Sequence, residues 1–269
     1  MPKGNYTSNG GWSAKWTGEE LNILKQYYPV GGVDKVQKLL PNRSHKAILS
    51  MAAKHKINQW NYNENYFEII NSSEKAYWLG FIWADGYITK TKSFGIELSI
   101  KDKSHLEKLQ KDLESNTIIR EREKESFGKK NGSCILEYRN QKMVTDLLKI
   151  GMIQNKTYNL PIPKISEDYY KDFIRGFFDG DGTYVLNKDN HNKEISCVCY
   201  CRTFLEWIQQ DFNKNGINSS LLKQKNKNLF NLRIYDANSI LKYYYVYWED
   251  ANRFLDRKKE KMEEIYNYI

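Results

Sequence analysis

One nine-residue frame occurs twice in the chain. Trp78-Leu79-Gly80-Phe81-Ile82-Trp83-Ala84-Asp85-Gly86 and Ile174-Arg175-Gly176-Phe177-Phe178-Asp179-Gly180-Asp181-Gly182 share the order x-x-Gly-apolar-apolar-x-small-Asp-Gly, and their closing glycines lie 96 residues apart. Ser73 and Ser166 each precede acidic residues, as a capping serine precedes a first helical turn. The spacing predicts helices over 74–85 and 167–181. Gly86 and Gly182 are expected in the left-handed position past each helix end. A glycine inside a helix costs about 1 kcal/mol relative to alanine. Gly80 with Ala84, and Gly176 with Gly180, put two small residues on one face of each helix, so the two helices can approach closely there. Asp85 and Asp181 then meet at the negative ends of two helix dipoles and repel each other. A hard divalent cation relieves both penalties.

The same order of elements follows each phrase. Strands are predicted over 86–92 and 93–101, a helix over 103–114, strands over 117–127 and 133–139 around a basic turn at 128–132, and a helix over 141–150. The second copy predicts strands over 182–188 and 193–201, a helix over 202–215, strands over 218–225 and 229–235, and a helix over 237–247. One face of each sheet must pack on helices, which leaves the other free.

These residues resemble the LAGLIDADG homing endonucleases. The resemblance covers roughly residues 73–269 and rests on two in-frame phrases, each with an aspartate before its last glycine. It implies an α+β fold of two pseudo-symmetric αββαββα subdomains with saddle-shaped antiparallel sheets. It implies a divalent metal, magnesium or manganese, at Asp85 and Asp181, with the adjoining Ala84 and Gly180 in the same metal set. Lys156 and Lys258 follow the last helix of each unit, 71 and 77 residues after their aspartates, and resemble the basic residue that the family sets near its active centre. Arg257 and Lys259 compete for the second place. The phrases differ at their sixth position, Trp83 against Asp179, which predicts unlike helix ends. Long polar side chains on the free sheet faces would grip double-stranded DNA: Lys90, Lys92, Lys101, Arg120, Arg122, Arg139, Lys188, Lys223, Lys225 and Arg233. A solvated sheet face carries similar residues, and a one-residue error in strand phase reassigns half of them.

The chain before the first phrase has another character. Thr17-Gly18-Glu19-Glu20 is a capping box that opens a helix ended by Pro29. A second helix is predicted over 33–40, and Ser44 caps a third that runs to about His55. Three short helices in this span, with Trp16 and Pro41-Asn42-Arg43-Ser44, resemble the Myb/SANT-like helix-turn-helix group. That resemblance implies a DNA-binding module in which Arg43, His45 and Lys46 belong to the groove-entering region. A helical packing domain with solvated charges is the alternative. The expected organisation is the module over 12–58, a linker over 59–72, and subdomains over 73–160 and 161–269.

A net charge of +9 favours a polyanionic partner. No apolar run approaches a membrane span, so no membrane partner is expected. The start Met1-Pro2-Lys3 lacks the apolar core of a signal peptide, which predicts an intracellular protein. Cys197, Cys199 and Cys201 alternate along one predicted strand, and with Cys134 they are expected as buried thiols. The combined expectation is a monomeric, intron-encoded or free-standing DNA endonuclease. A maturase binding intron RNA, or a non-cleaving regulator, would use the same scaffold.

Overall fold

The computed structural model describes residues 5–6, 12–13, 15–57, 61–90, 92–126, 129–225 and 227–269. The chain divides into two compact units. One takes the described residues up to Tyr62 together with Glu114–Asn116; the other takes Asn63–Leu113 and Thr117–Ile269. Within residues 1–11, which precede the expected module, only Asn5–Tyr6 are described.

In the first unit, Asn5–Tyr6 (β1) pairs antiparallel with Trp12–Ser13 (β2). Gly18–Leu39 (α1) opens on the expected capping box: Thr17 N donates to Glu20 Oε2 at 2.8 Å, and Glu20 N donates to Thr17 Oγ1 at 3.2 Å. Pro29 does not end this helix. The break falls three residues later, at Gly32, whose backbone is left-handed (φ 60°, ψ −159°) and open to glycine far more readily than to other residues. His45–Lys54 (α2) is capped by Ser44 Oγ, which accepts from Ala47 N at 3.2 Å. Leu24, Tyr28, Val36, Ile48 and Ala52 form the core, with Trp16 and Met51 against it.

The second unit is built on Ser73–Asp85 (α3) and, later in the chain, on the second phrase. After α3 come Gly86–Ile88 (β3), Ser93–Ser99 (β4), Lys103–Asp112 (α4), Arg120–Ser126 (β5), Lys129–Arg139 (β6) and Gln141–Ile150 (α5). A 3-10 turn at Glu167–Tyr169 then leads into Tyr170–Asp181 (α6). Gly182–Asn187 (β7), Asn192–Cys199 (β8), Arg202–Lys214 (α7), Ser220–Lys223 (β9), Phe230–Ile234 (β10), Ala237–Tyr247 (α8) and Asp256–Tyr268 (α9) follow. Each copy forms one four-stranded antiparallel sheet, in the orders β3-β4-β6-β5 and β7-β8-β10-β9. This is the expected repeat of αββαββα, with α9 added. Of the expected linker, 61–72 is described, and its Phe67 is buried edge-on against Phe94, 5.8 Å between centroids.

Several boundaries differ from expectation. The cap of α3 is Ser72, one residue earlier, accepting from Lys75 N. Ser166 turns its hydroxyl to Asp168, so the 3-10 turn precedes α6. Gly86 and Gly182 are extended, not left-handed. Their reason is space: a Cβ on Gly86 would meet Ile82 O at 2.5 Å, and one on Gly182 would meet Phe178 O at 2.4 Å. β6 begins at Lys129, inside the expected basic turn, whose Gly128 lies outside the described residues. Cys201 lies past β8, at the start of α7. Cys134, Cys197 and Cys201 are buried, Cys199 is half-buried, and all four are free thiols.

The two phrase helices pack through their glycines. A Cβ on Gly80 would lie 1.9 Å from Phe173 O, and one on Gly176 would lie 2.0 Å from Tyr77 O. Backbone therefore rests on backbone, and the small-residue face of the sequence has its structural reason.

Candidate active site and nucleic-acid face

Close helix packing brings the two terminal aspartates to one place. A Cβ on Gly180 would meet the Ala84 Cβ at 2.4 Å and Asp85 Oδ2 at 2.9 Å. The Asp85 carboxylate thus rests against the neighbouring helix end, one residue before Asp181. Burial, and next the Asp181 charge, push the Asp85 carboxyl up to about 6. Burial pushes Asp181 the same way, while Lys156 and Lys258 oppose it. Asp181 keeps more solvent contact than Asp85, so the push on Asp85 is the firmer of the two.

Both candidate lysines reach this centre. Lys156 stands in a 3-10 turn, Lys156–Tyr158, and its Nζ donates to the carbonyls of Trp83 and Ala84 at the end of α3. Lys258 stands in the first turn of α9 rather than in a loop after α8, and its Nζ donates to Gly182 O. Burial lowers both lysines; the Asp181 and Asp85 charges oppose this at Lys156, and Arg257 adds to it at Lys258. Of the two rivals, Arg257 Nε bonds both Asp102 carboxylate oxygens at 3.0 and 3.1 Å. Lys259 lies over the Phe254 ring, 4.1 Å from its centroid. Asp181, Thr183, Arg257, Lys258 and Lys261 help to line an open cleft of about 570 Å³.

The donor set suits a hard divalent cation. Two carboxylates converge, and burial holds both above their ordinary range, Asp85 raised further by the Asp181 charge. The Ala84 carbonyl already accepts from Lys156. Gly180 contributes room for the Asp85 carboxylate.

The sixth position of the phrase acts differently in each half. Trp83 Nε1 donates to Pro161 O at 2.8 Å. Asp179 is fully buried; its Oδ2 accepts from Tyr77 OH and from Leu255 N, both at 2.7 Å, and its Oδ1 has no partner among the described residues. Since Tyr77 OH donates to Asp179, the His105 ring must donate its Nε2–H to the tyrosine oxygen, 3.0 Å away. Burial holds that histidine near 3, hence neutral. This relay from α4 through α3 and α6 to the start of α9 escaped the sequence reading, because residues bonded to each other in it lie up to 102 positions apart.

Strand register settles the sheet faces. Phe94, Ile96 and Leu98 pair with Tyr138, Leu136 and Cys134 on the inner face, so Arg120, Arg122 and Arg139 lie on the open face. Glu137 lies there too, within 3.2 Å of Arg120 and 3.7 Å of Arg139. In the second sheet Arg233 is on the open face, paired with Glu194. Lys223 is not. It pairs with Phe230, in phase with the inward pair Leu221 and Leu232, and is exposed only at the strand end. Lys101 falls in a 3-10 turn beyond β4. Lys90 and Lys92 are exposed between β3 and β4; Lys188 and Lys225 follow β7 and β9, and Lys188 pairs with Glu264. Glu137 was detectable from its two-residue spacing to Arg139, and Glu194 was not, because its partner lies 39 residues away.

In the first unit, His45 and Lys46 are exposed on α2. Arg43 is used internally. Its guanidinium forks onto Glu20 at 2.8 and 2.7 Å, donates to Lys15 O, and lies 4.9 Å from the Trp16 ring centroid. A fork so engaged joins the turn before α2 to the start of α1, and is not presented for nucleic acid.

Comparisons with known proteins bear on the fold and the family. The chain is similar to the uncharacterised protein MJ0314 of Methanocaldococcus jannaschii, 26% identical over 167 residues, which is 58% of this chain and 60% of that protein. Its fold is similar to the homing endonuclease I-WcaI bound to its DNA recognition sequence, with a TM-score of 0.51 at 18% identity over 82% of this chain and 93% of that one. It is also similar to the meganuclease I-SmaMI bound to DNA, with a TM-score of 0.50 at 11% identity over 71% of this chain and 88% of that one. Identity this low shows a shared fold. Among the described residues, no helix is long and apolar enough to cross a membrane. The model of the LAGLIDADG-like domain matches residues 54–151 and 168–245, more than half of the chain and both phrases, and the chain therefore belongs to the LAGLIDADG-like family.

Proposed function

We propose that this chain is a site-specific DNA endonuclease, encoded by an intron or a free-standing mobile gene and acting inside the cell as a monomer with two unlike halves. It would hydrolyse one phosphodiester bond on each strand. The observation that carries the reading is the convergence of Asp85 and Asp181 at the ends of two helices packed backbone to backbone. Asp85 and Asp181 would hold magnesium or manganese, and a divalent cation bound there supplies positive charge to the phosphate oxygens. Lys156, half-buried, and Lys258, buried, stand beside the carboxylates and would stabilise charge that builds on the phosphate or orient the attacking water. The open-face arginines Arg120, Arg139 and Arg233 would exchange their glutamate partners for backbone phosphates, and Arg122 on the same face would join them. His45 and Lys46 on α2 would extend the contact as a helix-turn-helix module.

The test uses a duplex selected by the full chain from a randomised pool and cloned into a supercoiled plasmid. Magnesium should give linear product, chelator should abolish it, and Asp85→Asn and Asp181→Asn should each impair cutting while a gel shift persists. Full cutting in chelator, or by both variants, would overturn the site assignment. Binding without any cutting in magnesium or manganese would favour a regulator, and tighter binding of intron RNA than of DNA would favour a maturase.

A further inference from the structure

Lys258 reaches the second phrase's aspartate on α9, but the chain leading into α9 is fastened mainly to the first half. Asn252 Nδ2 donates to Glu74 on α3. Arg253 forks onto the Asp112 carboxylate of α4, Nε to Oδ2 and Nη2 to Oδ1, both at 2.6 Å. Lys108 Nζ, also on α4, donates to Phe254 O at 3.1 Å and pairs with Asp256. Arg257 bonds Asp102 just before α4. Within this run, Leu255 N donates to the buried Asp179. Asp112 is itself held by Trp78 Nε1 at 2.7 Å. The segment carrying the other lysine meets the second half only lightly among the described residues, through a ring contact of Tyr158 with Tyr200, 4.9 Å between centroids, and Cys201 Sγ donating to Leu160 O at 3.4 Å. Lys156 rests on α3 carbonyls, and the nearby Gln154 side chain bonds Thr89 O, within the same half.

We propose that residues 252–257 form a strap by which the first half positions Lys258 at the second site, with Arg253, Asp112 and Asp179 as positioning residues. The strap then couples the first half to the second site: disturbing it displaces Lys258 and leaves Lys156 in place. Charge-assisted forks are the strong class of hydrogen bond, and a bidentate pair fixes orientation as well as distance. Leu255 N is anchored three residues before Lys258, so loss of either fastening lets the start of α9 turn. The catalytic consequence rests on Lys258 serving the second site as proposed above; the displacement itself does not.

The experiment measures amine acetylation of each lysine by mass spectrometry in the intact full-length chain, alongside amide exchange at Leu255–Lys259. In Arg253→Met and in Asp112→Asn, Lys258 should label several-fold faster and those amides exchange faster, with Lys156 and the α3 amides unchanged. Arg253→Lys, which keeps the charge and loses the fork, should fall between. Strand-resolved nicking of the selected plasmid should then slow on one strand, matching the strand affected by Lys258→Met. Unchanged Lys258 labelling, or equal acceleration of Lys156, would overturn the strap. Strap signatures as expected in a chain that cuts no DNA would leave the strap standing and remove the endonuclease reading.

Discussion

Trp83 and Asp179 hold the same place in their phrases, and each ties down the connector that follows its own half's last helix. The tryptophan does so as a donor to Pro161 O, the aspartate as an acceptor from Leu255 N. The aspartate is the costly solution, because its second oxygen is buried without a partner among the described residues. Burial accordingly raises its carboxyl to about 6, against bonds from Leu255 and Tyr77 that pull it down. A folded value above the unfolded one means that the protonated form is favoured in the native state. That stabilisation is complete below about 3.8 and is lost as pH rises through about 6, a ceiling of about 3 kcal/mol at this site. Asp179→Asn keeps an acceptor for Leu255 and removes the charge. In chelator, its melting temperature should therefore lose less than wild type's between pH 4 and 7. Parallel curves would show that Asp179 does not carry the dependence. The unlike sixth positions were visible in the sequence, but their partners were not, since Tyr77 and Leu255 lie 102 and 76 residues away.

Helices and strands were legible where a single period governs them. The four-residue spacing of small residues foretold the packing of α3 on α6, because only backbone approach rewards glycine inside a helix. The alternation of Phe94, Ile96 and Leu98 foretold the inward face of β4. Termini were less legible. Pro29 in α1 and the two extended glycines show that a breaker residue reports a local constraint, which here was crowding rather than handedness. Lys223 and Lys101 were misplaced because strand ends, where the period stops, carry no phase. The glycine packing makes a firm prediction. Gly80→Ala and Gly176→Ala each drive a methyl into a carbonyl of the facing helix, and should cost about 3 kcal/mol or more. Chemical denaturation measures it. Neutrality, or the small gain that alanine's helix propensity alone would bring, would mean that the helices can part freely.

Across the whole molecule, positive charge is distributed rather than concentrated, and much of it is already paired within the fold. Arg43, Arg253 and Arg257 each hold structure through a carboxylate. The exposed lysines of α2 have no ion pair among the described residues and are available to phosphates. Replacing Lys46 and Lys54 by glutamate in the full chain should weaken binding to selected and unrelated duplexes alike. It should also flatten the salt dependence of log Kd by about one unit for each phosphate that the helix no longer neutralises. An unchanged slope would place that helix away from the DNA. The strap has a further consequence for the history and reuse of such chains. A repeated fold invites the picture of two interchangeable halves joined near residue 160, exchanged whole by a recombination there. Yet the residues that seat the second lysine are encoded in one half and received mainly by side chains encoded in the other. A chimaera exchanged at that joint would inherit a strap without its receiver, so Asp102, Lys108 and Asp112 must travel with residues 252–257 for Lys258 to be seated.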